Sequence, residues 1–242
     1  MTTGRDEQVV VALRTAARAL ARRPGIRDLE ETLRQIVASA VVTVPRADAG
    51  SLSMTSETRV ETRHPTSEAI RALDETQSAL GEGPCISAIE DPPASGVVVA
   101  QDLAGADAER WPRFAPRAVE AGYRALMSTH LTTDGSLRAA LNLYAAGPQA
   151  FDDHARVLAG LFGVQAGLLL YGAQQVQHLQ RAVDSRDLIG RAKGVLAERF
   201  GVDDASAFRM LVSSSQETNM KVTAVAQWVA DSAGSGAAAP LE

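Results

Sequence analysis

The residues from Asp184 to Val229 limit the fold of this chain more than any other part. They contain three apolar stripes at helical spacing, separated by two short breaks. No stripe can be buried within its own helix, so three short helices must pack on one another. Gly201 ends the first helix, Asp203 or Asp204 is available to cap the second, and Thr218–Asn219 is available to cap the third. The stripes consist of Leu188, Ile189, Ala192, Val195, Leu196, Phe200; Ala207, Phe208, Leu211; and Val222, Val225, Ala226, Val229.

The identities and spacings of residues in this region resemble those of the ANTAR domain. That resemblance implies a three-helix module of bacterial transcription antiterminators, which binds paired RNA stem-loops, usually as a dimer, and prevents a terminator hairpin from forming. The residues that carry it are Arg186, Ile189, Ala192, Lys193, Gly194, Leu196, Ala207, Phe208, Leu211, Ser215, Asn219, Lys221, Val225 and Ala226.

Six of these residues are the candidate RNA contacts that the resemblance implies. Each has a structural alternative. The stem of Lys193 can cover the core, Gly194 can simply be tolerated in the packing of the helix, and Ser215 can hydrogen-bond a backbone carbonyl. Asn219 can cap a helix, and the two remaining charges can simply be solvated. The candidates are Arg186, Lys193, Gly194, Ser215, Asn219 and Lys221.

The charge of this region does not by itself indicate a nucleic-acid partner. Residues 186–231 carry six positive and six negative side chains, whereas nucleic-acid-binding domains usually show a basic footprint. The chain as a whole has a net charge of −5. DNA is therefore not expected as a partner. The competing hypothesis is a ligand-regulated protein–protein interaction module that binds no RNA.

The middle of the chain alternates between helical and strand periodicity. Helices are predicted at residues 29–44, 68–79 and 111–121, and a tight turn at Gly81–Cys85 leads into another short helix. Strands are predicted at residues 50–55, 60–64, 97–99, 126–131 and 137–144, the last two joined by a hairpin loop at Thr132–Gly135. This order predicts an α+β fold in which one antiparallel sheet is flanked by helices.

This middle region is similar to a GAF domain. The residues that carry the similarity are Leu80–Cys85, Asp102, Trp111–Phe114, Ala121–Gly122 and Ala139–Tyr144. GAF domains sense small molecules or cofactors, so the resemblance implies a pocket for an unknown small-molecule ligand. We expect that pocket to be mainly apolar and to be lined by Leu52, Met54, Cys85, Val98, Leu126, Met127 and Leu141.

No set of residues indicates catalysis, a metal site or a cofactor. The four histidines lack metal-ligand spacing, and no nucleophile–base pair or phosphate-binding loop is evident. Cys85, the only cysteine, follows Pro84 at a turn. It is either a small buried hydrophobe or, near a helix N-terminus, a thiol with thiolate character. The chain is therefore predicted not to be an enzyme.

A long helix is predicted to connect the two domains, because no proline occurs between Asp152 and Phe200. Apolar residues recur there at heptad spacing with one stutter, which favours a coiled coil and a homodimer. The first half of the seam, Val157 to Leu170, can alternatively pack on the sheet. The seam consists of Val157, Leu161, Val164, Leu168 and then Gly172, Val176, Leu179, Val183.

The predicted organisation has five parts. They are an N-terminal helix (1–27), a GAF sensor domain (28–171), a coiled-coil linker (172–184), an ANTAR domain (185–231) and a flexible tail (232–242). The N-terminus lacks the apolar stretch of a signal peptide, and the longest apolar run, Val157 to Tyr171, is too short to cross a bilayer. With a single cysteine, these features predict a cytoplasmic protein without a membrane partner.

Overall fold

The computed structural model describes residues 26–56, 59–131 and 138–235. The predicted N-terminal helix at Gln8–Arg22, the hairpin loop at Thr132–Gly135 and most of the tail lie outside these ranges. The chain divides into two compact units, one ending at Ala173 and the other beginning at Gln174.

The first unit alternates helices and strands in the predicted order. Its elements are α1 (Ile26–Thr43), β1 (Ala49–Ser56), β2 (Arg59–Arg63), α2 (Glu68–Leu80), α3 (Pro84–Glu90), β3 (Val97–Ala100), α4 (Phe114–Glu120), β4 (Ala125–Leu131), β5 (Ala139–Ala145) and the first part of α5 (Asp153–Phe200). The fold class is α+β, as predicted.

The five strands form one sheet in the order β2-β1-β5-β4-β3. Every pairing is antiparallel, and β2 lies at an edge, as its polar sequence predicts. β5 is central and all seven of its residues are buried. Because successive side chains in a strand point to opposite faces, each central strand contributes to two separate cores.

One core lies between the sheet and helices α1 and α5; we call this the α1/α5 face. It contains Leu52, Met127 and Leu141 among its buried residues. The other core lies between the sheet and helices α2, α3 and α4; we call this the α2–α4 face. It contains Ile70, Phe114 and other buried residues.

The predicted helix at residues 111–121 is wrong at its start. The structure has a 3-10 turn at Ala108–Arg110, and α4 begins only at Phe114. Pro112 occurs in the intervening segment, where proline disfavours a helical conformation of the residue before it. Asp107, just before the 3-10 turn, accepts hydrogen bonds from the backbone N–H groups of Gln101 (2.7 Å) and Asp102 (3.0 Å).

Helix α5 runs for 48 residues without interruption. Asp152 caps it by accepting a hydrogen bond from the Ala155 N–H at 2.8 Å, and Gly201 ends it with φ 64°. By length and composition α5 is apolar enough to cross a membrane. However, half of its most apolar 18-residue stretch is buried inside the protein. Core helices of soluble domains have the same properties.

The second unit contains the end of α5 together with α6 (Asp204–Thr218) and α7 (Val222–Ser235). Its core contains most of the predicted stripe residues, including Ala192, Leu196, Ala207, Leu211 and Val225. The prediction is wrong for Phe200 and Phe208, which are 56% and 43% exposed because they lie at the margins of the three-helix core. Asp203 caps α6 through a hydrogen bond from the Ser206 N–H, as predicted. Asn219, expected to cap the third helix, instead ends the second: it takes φ 53°, and its N–H bonds the Ser215 carbonyl.

Candidate functional site

Lys193 lies on the part of α5 that contributes to the three-helix core. Its side chain is 23% exposed, and its Nζ lies 2.7 Å from the Asp204 carboxylate at the start of α6. Its stem therefore lies beside the core, while its ammonium group is held in an ion pair. Asp204 is 77% exposed, so this ion pair is screened by water and stabilises the domain by at most about 1 kcal/mol.

The other two charged candidates, Arg186 and Lys221, are exposed. Neither makes a salt bridge within the described part of the chain. Gly194 is also exposed, and a Cβ built on it meets no atom within 4 Å. Nothing inside the second unit therefore requires glycine at this position, although glycine weakens a helix.

Ser215 and Asn219 both take part in the turn between α6 and α7. The Ser215 hydroxyl donates to the Met220 carbonyl at 2.5 Å, and the Met220 N–H donates to the Ser215 carbonyl at 3.1 Å. Asn219 adopts the left-handed conformation that ends α6. The structure thus gives each residue a role in shaping the turn, and it leaves the Asn219 side chain exposed.

The residues predicted to line a sensor pocket do not gather on one side of the sheet. Leu52, Met54, Met127 and Leu141 belong to the core on the α1/α5 face. Cys85, Val98 and Leu126 belong to the core on the α2–α4 face. The reason is strand alternation: Leu126 and Met127 are neighbours in β4 and must point in opposite directions.

The α2–α4 face instead carries a cluster of buried polar side chains, of which the sequence analysis named only Cys85 as a candidate ligand contact. We call this set the polar cluster: Ser51, Ser53, Asp74, Gln77, Cys85, Ser128, Asn142 and Tyr144, none more than 2% exposed. One signal was present in the sequence. Asp74 and Gln77 continue the stripe of Ile70 and Leu73 on α2, so polar residues occupy positions at core spacing.

Asn142 and Asp74 are the centre of the polar cluster. The Asn142 amide donates to the hydroxyls of Ser51 (3.3 Å) and Ser53 (2.9 Å) and to Asp74 Oδ1 (3.3 Å). Tyr144 donates to the same Asp74 oxygen at 2.5 Å. Burial raises the pKa of Asp74 to about 6, against the opposing effect of these hydrogen bonds.

Cys85 is a buried member of this cluster. Burial, together with the nearby Asp74 carboxylate, raises the pKa of its thiol to about 12. Its backbone N–H donates to the Gln77 side chain at 2.9 Å. Gly83, with φ 135°, makes this contact possible, since a Cβ there would lie 2.2 Å from the same Gln77 oxygen. Cys85 is thus a neutral thiol, which agrees with the buried-hydrophobe alternative.

With this geometry established, the two units can be compared with known proteins. The family model of the GAF domain matches residues 26–170, and that of the ANTAR domain matches residues 177–229. Both are regulatory rather than catalytic domains, and together they define a regulator controlled by a sensor domain. The chain belongs to the GAF–ANTAR family. No curated protein matches it.

Several solved GAF-domain structures share the fold of the first unit. The GAF domain of a phosphoenolpyruvate-protein phosphotransferase from Coxiella burnetii is 16% identical, with a TM-score of 0.53, and the match covers 71% of this chain and 98% of that one. The corresponding Acinetobacter domain is 14% identical, with a TM-score of 0.50, covering 70% and 96%. Besides these GAF-domain structures, the bacteriophytochrome RpBphP3 from R. palustris is 12% identical, with a TM-score of 0.53, and the match covers 88% of this chain and 47% of that one. At these identities the likeness concerns the fold alone.

Proposed function

We propose that this protein is a cytoplasmic transcription antitermination regulator. Its ANTAR domain binds stem-loops in nascent RNA, and its GAF domain controls that binding. The observation that carries the proposal is the ANTAR match over residues 177–229. The three-helix core formed by α5, α6 and α7 supports it, because this core holds Lys193 at its margin and leaves Arg186 and Lys221 exposed.

The balanced charge of the ANTAR domain indicates that a single domain binds RNA weakly. Phosphate contacts supply much of the affinity for a nucleic acid, and here Lys193 already has a partner carboxylate. Ser215 and Asn219 lie at a turn, where polar groups can approach unstacked loop bases, the usual targets of RNA sequence recognition. Two linked domains on two linked stem-loops raise the effective concentration and offset the weak single contact.

We further propose a homodimer that pairs through the linker part of α5. Val176, Leu179 and Val183 are 58%, 68% and 52% exposed, at spacings of three and four residues. In the first unit, Val157, Val164 and Leu168 of the same helix are also exposed, so this apolar stripe lies on the side of the helix that faces away from the sheet. A second copy of α5 supplies a matching apolar stripe, as in a two-stranded coiled coil.

The test is selection of bound RNAs from a random pool by the full chain. We expect enrichment of RNAs with two neighbouring stem-loops and short defined loops. The matched control is Leu211→Asp, because Leu211 is 1% exposed in the three-helix core and a buried charge there disrupts this domain. Enrichment of the same RNAs by this variant, or of none by the native protein, contradicts the proposal.

A protein partner in place of RNA is the second candidate function. Phe208 and Trp228 of the ANTAR domain are 43% and 71% exposed, and exposed aromatic residues are common at protein interfaces. A selection that yields no RNA, with Trp228→Ala abolishing capture of a partner through the ANTAR domain, favours this alternative.

A further inference from the structure

The polar cluster on the α2–α4 face has one atom without a partner. Asp74 Oδ1 accepts hydrogen bonds from Tyr144 and Asn142, whereas Asp74 Oδ2 is buried and accepts none in the described part of the chain. A buried acceptor without a donor destabilises the folded protein, and more so when it is charged. The groups around Asp74 are hydroxyls and amides, and no cation forms a salt bridge with it within the described ranges.

An open cleft runs along the outside of this cluster, between β2 and α2. Its volume is about 810 Å³, which suits a small metabolite, and it is lined by Val60, Glu61, Thr62, Arg63, Arg71, Glu75, Ser78 and Ala79. Thr62 lies at both sites: it lines the cleft, and it is close enough to the Asp74 carboxylate to lower the pKa of that group without hydrogen-bonding Oδ2. Thr62 therefore lies between the cleft and the buried carboxylate.

The charges that line the cleft differ in how they are paired. Arg63 pairs with Glu61 at 3.0 Å, and Arg71 pairs with Glu68 at 3.3 Å. Glu75 is exposed and makes no salt bridge within the described residues. Both arginines of the cleft are thus neutralised by neighbouring carboxylates, whereas the Glu75 carboxylate remains available. This arrangement favours a positively charged ligand over an anion.

We propose that this cleft and the polar cluster together form a binding site for a small organic cation with N–H donors, a primary ammonium or a guanidinium. One N–H of the ligand passes Thr62 and donates to Asp74 Oδ2, and Glu75 attracts the positive charge at the entrance. The bound cation supplies both the donor and the charge that the buried carboxylate lacks. This inference rests on the proposed sensor role of the GAF domain and names the class of its ligand.

The arrangement also connects the ligand to the structure of the domain. Asp74 and Gln77 are on α2, while Asn142 and Tyr144 are on the central strand β5, and all four are joined through hydrogen bonds. A ligand that pairs with Asp74 changes the balance of this network. Binding therefore affects both helix α2 and the central strand β5.

The experiment is thermal unfolding of the full chain at pH 7.5 with methylammonium, putrescine or agmatine as the probe. Tetramethylammonium, which has the charge without N–H donors, and 1,4-butanediol, which is neutral, are the control compounds. We expect at least one N–H cation to raise the Tm with saturation by about 3 °C or more. No rise with any of the three, or an equal rise with tetramethylammonium, overturns the proposal.

Three variants locate the effect. We expect Asp74→Asn to lose the rise in Tm, because the amide gives no charge to the ligand. Thr62→Met blocks the passage without changing Asp74, and it is the deciding variant if Asp74→Asn does not fold. Asp153→Asn, at a fully exposed carboxylate on α5, keeps the rise. A rise that persists in both Asp74→Asn and Thr62→Met overturns the proposal.

The outcome is separable from that of the RNA proposal. If RNA is selected but none of the cations is bound, this inference alone fails. If a cation is bound at Asp74 but no RNA is selected, the ligand class is supported and the RNA-binding function fails.

Discussion

In the folded protein the Lys193 ammonium lies 2.7 Å from the Asp204 carboxylate, so an RNA phosphate competes with that carboxylate for it. We therefore predict that Lys193→Ala weakens binding of a two-loop RNA and lowers the slope of log K against log salt by about one unit. Asp204→Asn breaks the same ion pair but keeps the lysine. Because it removes a competitor of the RNA, we expect it to raise affinity, by up to about fivefold.

The measurement is a titration of the three proteins with one two-loop RNA at two salt concentrations. Circular dichroism checks that both variants keep the helices. An equal loss of affinity in Lys193→Ala and Asp204→Asn is the contrary result, because it assigns the ion pair a purely structural role.

Asp74 is predicted to make stability depend on pH. Burial raises its pKa in the folded protein to about 6 from an ordinary value of 3.8. The folded state therefore binds more protons than the unfolded state between these values, and the contribution of Asp74 to stability falls as pH rises from about 4 to 6. The full effect is at most about 3 kcal/mol.

The variant Asp74→Asn lacks this titration. We expect its free energy of unfolding to increase relative to the native protein as pH rises from 4 to 7, measured by urea unfolding at several pH values. Asp153→Asn serves as the exposed control. A difference between Asp74→Asn and the native protein that stays constant with pH would mean that Asp74 keeps its ordinary pKa.

Two exposed glycines, Gly190 and Gly194, lie one turn apart on helix α5. A methyl group added at either position would meet no other atom within 4 Å. Alanine at either position should stabilise the helix by up to about 1 kcal/mol. If RNA backbone approaches Gly194 closely, we expect Gly194→Ala to raise the Tm and at the same time weaken RNA binding. Gly190→Ala should raise the Tm and leave RNA binding unchanged. Equal RNA affinities for the two variants would remove Gly194 from the interface.

The proposed dimer concerns the whole protein, because it sets how many ANTAR domains one RNA meets. We predict that Leu179→Asp, which introduces a charge into the exposed seam, converts the dimer to a monomer in sedimentation at micromolar concentration. It should weaken binding of a two-loop RNA much more than binding of a single stem-loop, since only the former depends on two linked domains.

Gln177→Asp is the matched control for this prediction. It introduces the same charge about 160° away around the helix, at another exposed position. We expect it to remain dimeric and to bind both RNAs normally. A native protein that sediments as a monomer, or a Leu179→Asp variant that behaves like Gln177→Asp, contradicts the proposed interface.

The sequence alone determined the order and type of the elements. The apolar stripes of the second unit (apart from Phe200 and Phe208), the Gly201 stop and the Asp203 cap are confirmed. These features are local: a stripe at helical spacing, a capping side chain and a left-handed glycine each depend on residues within a few positions. The residue patterns of the GAF and ANTAR families are likewise carried by sequence, and both family matches are confirmed.

Only the tertiary structure decided which residues meet. Asn142 bonds Ser51 across 91 positions of sequence, and the pairing of Lys193 with Asp204 depends on how α6 folds back beside α5. The predicted apolar lining divides between two faces because strand alternation separates Leu126 from Met127. Periodicity reports the environment that a side chain prefers, but partners distant in sequence are set by packing. For this reason the buried carboxylate of Asp74 became evident as a candidate ligand contact only in the folded protein.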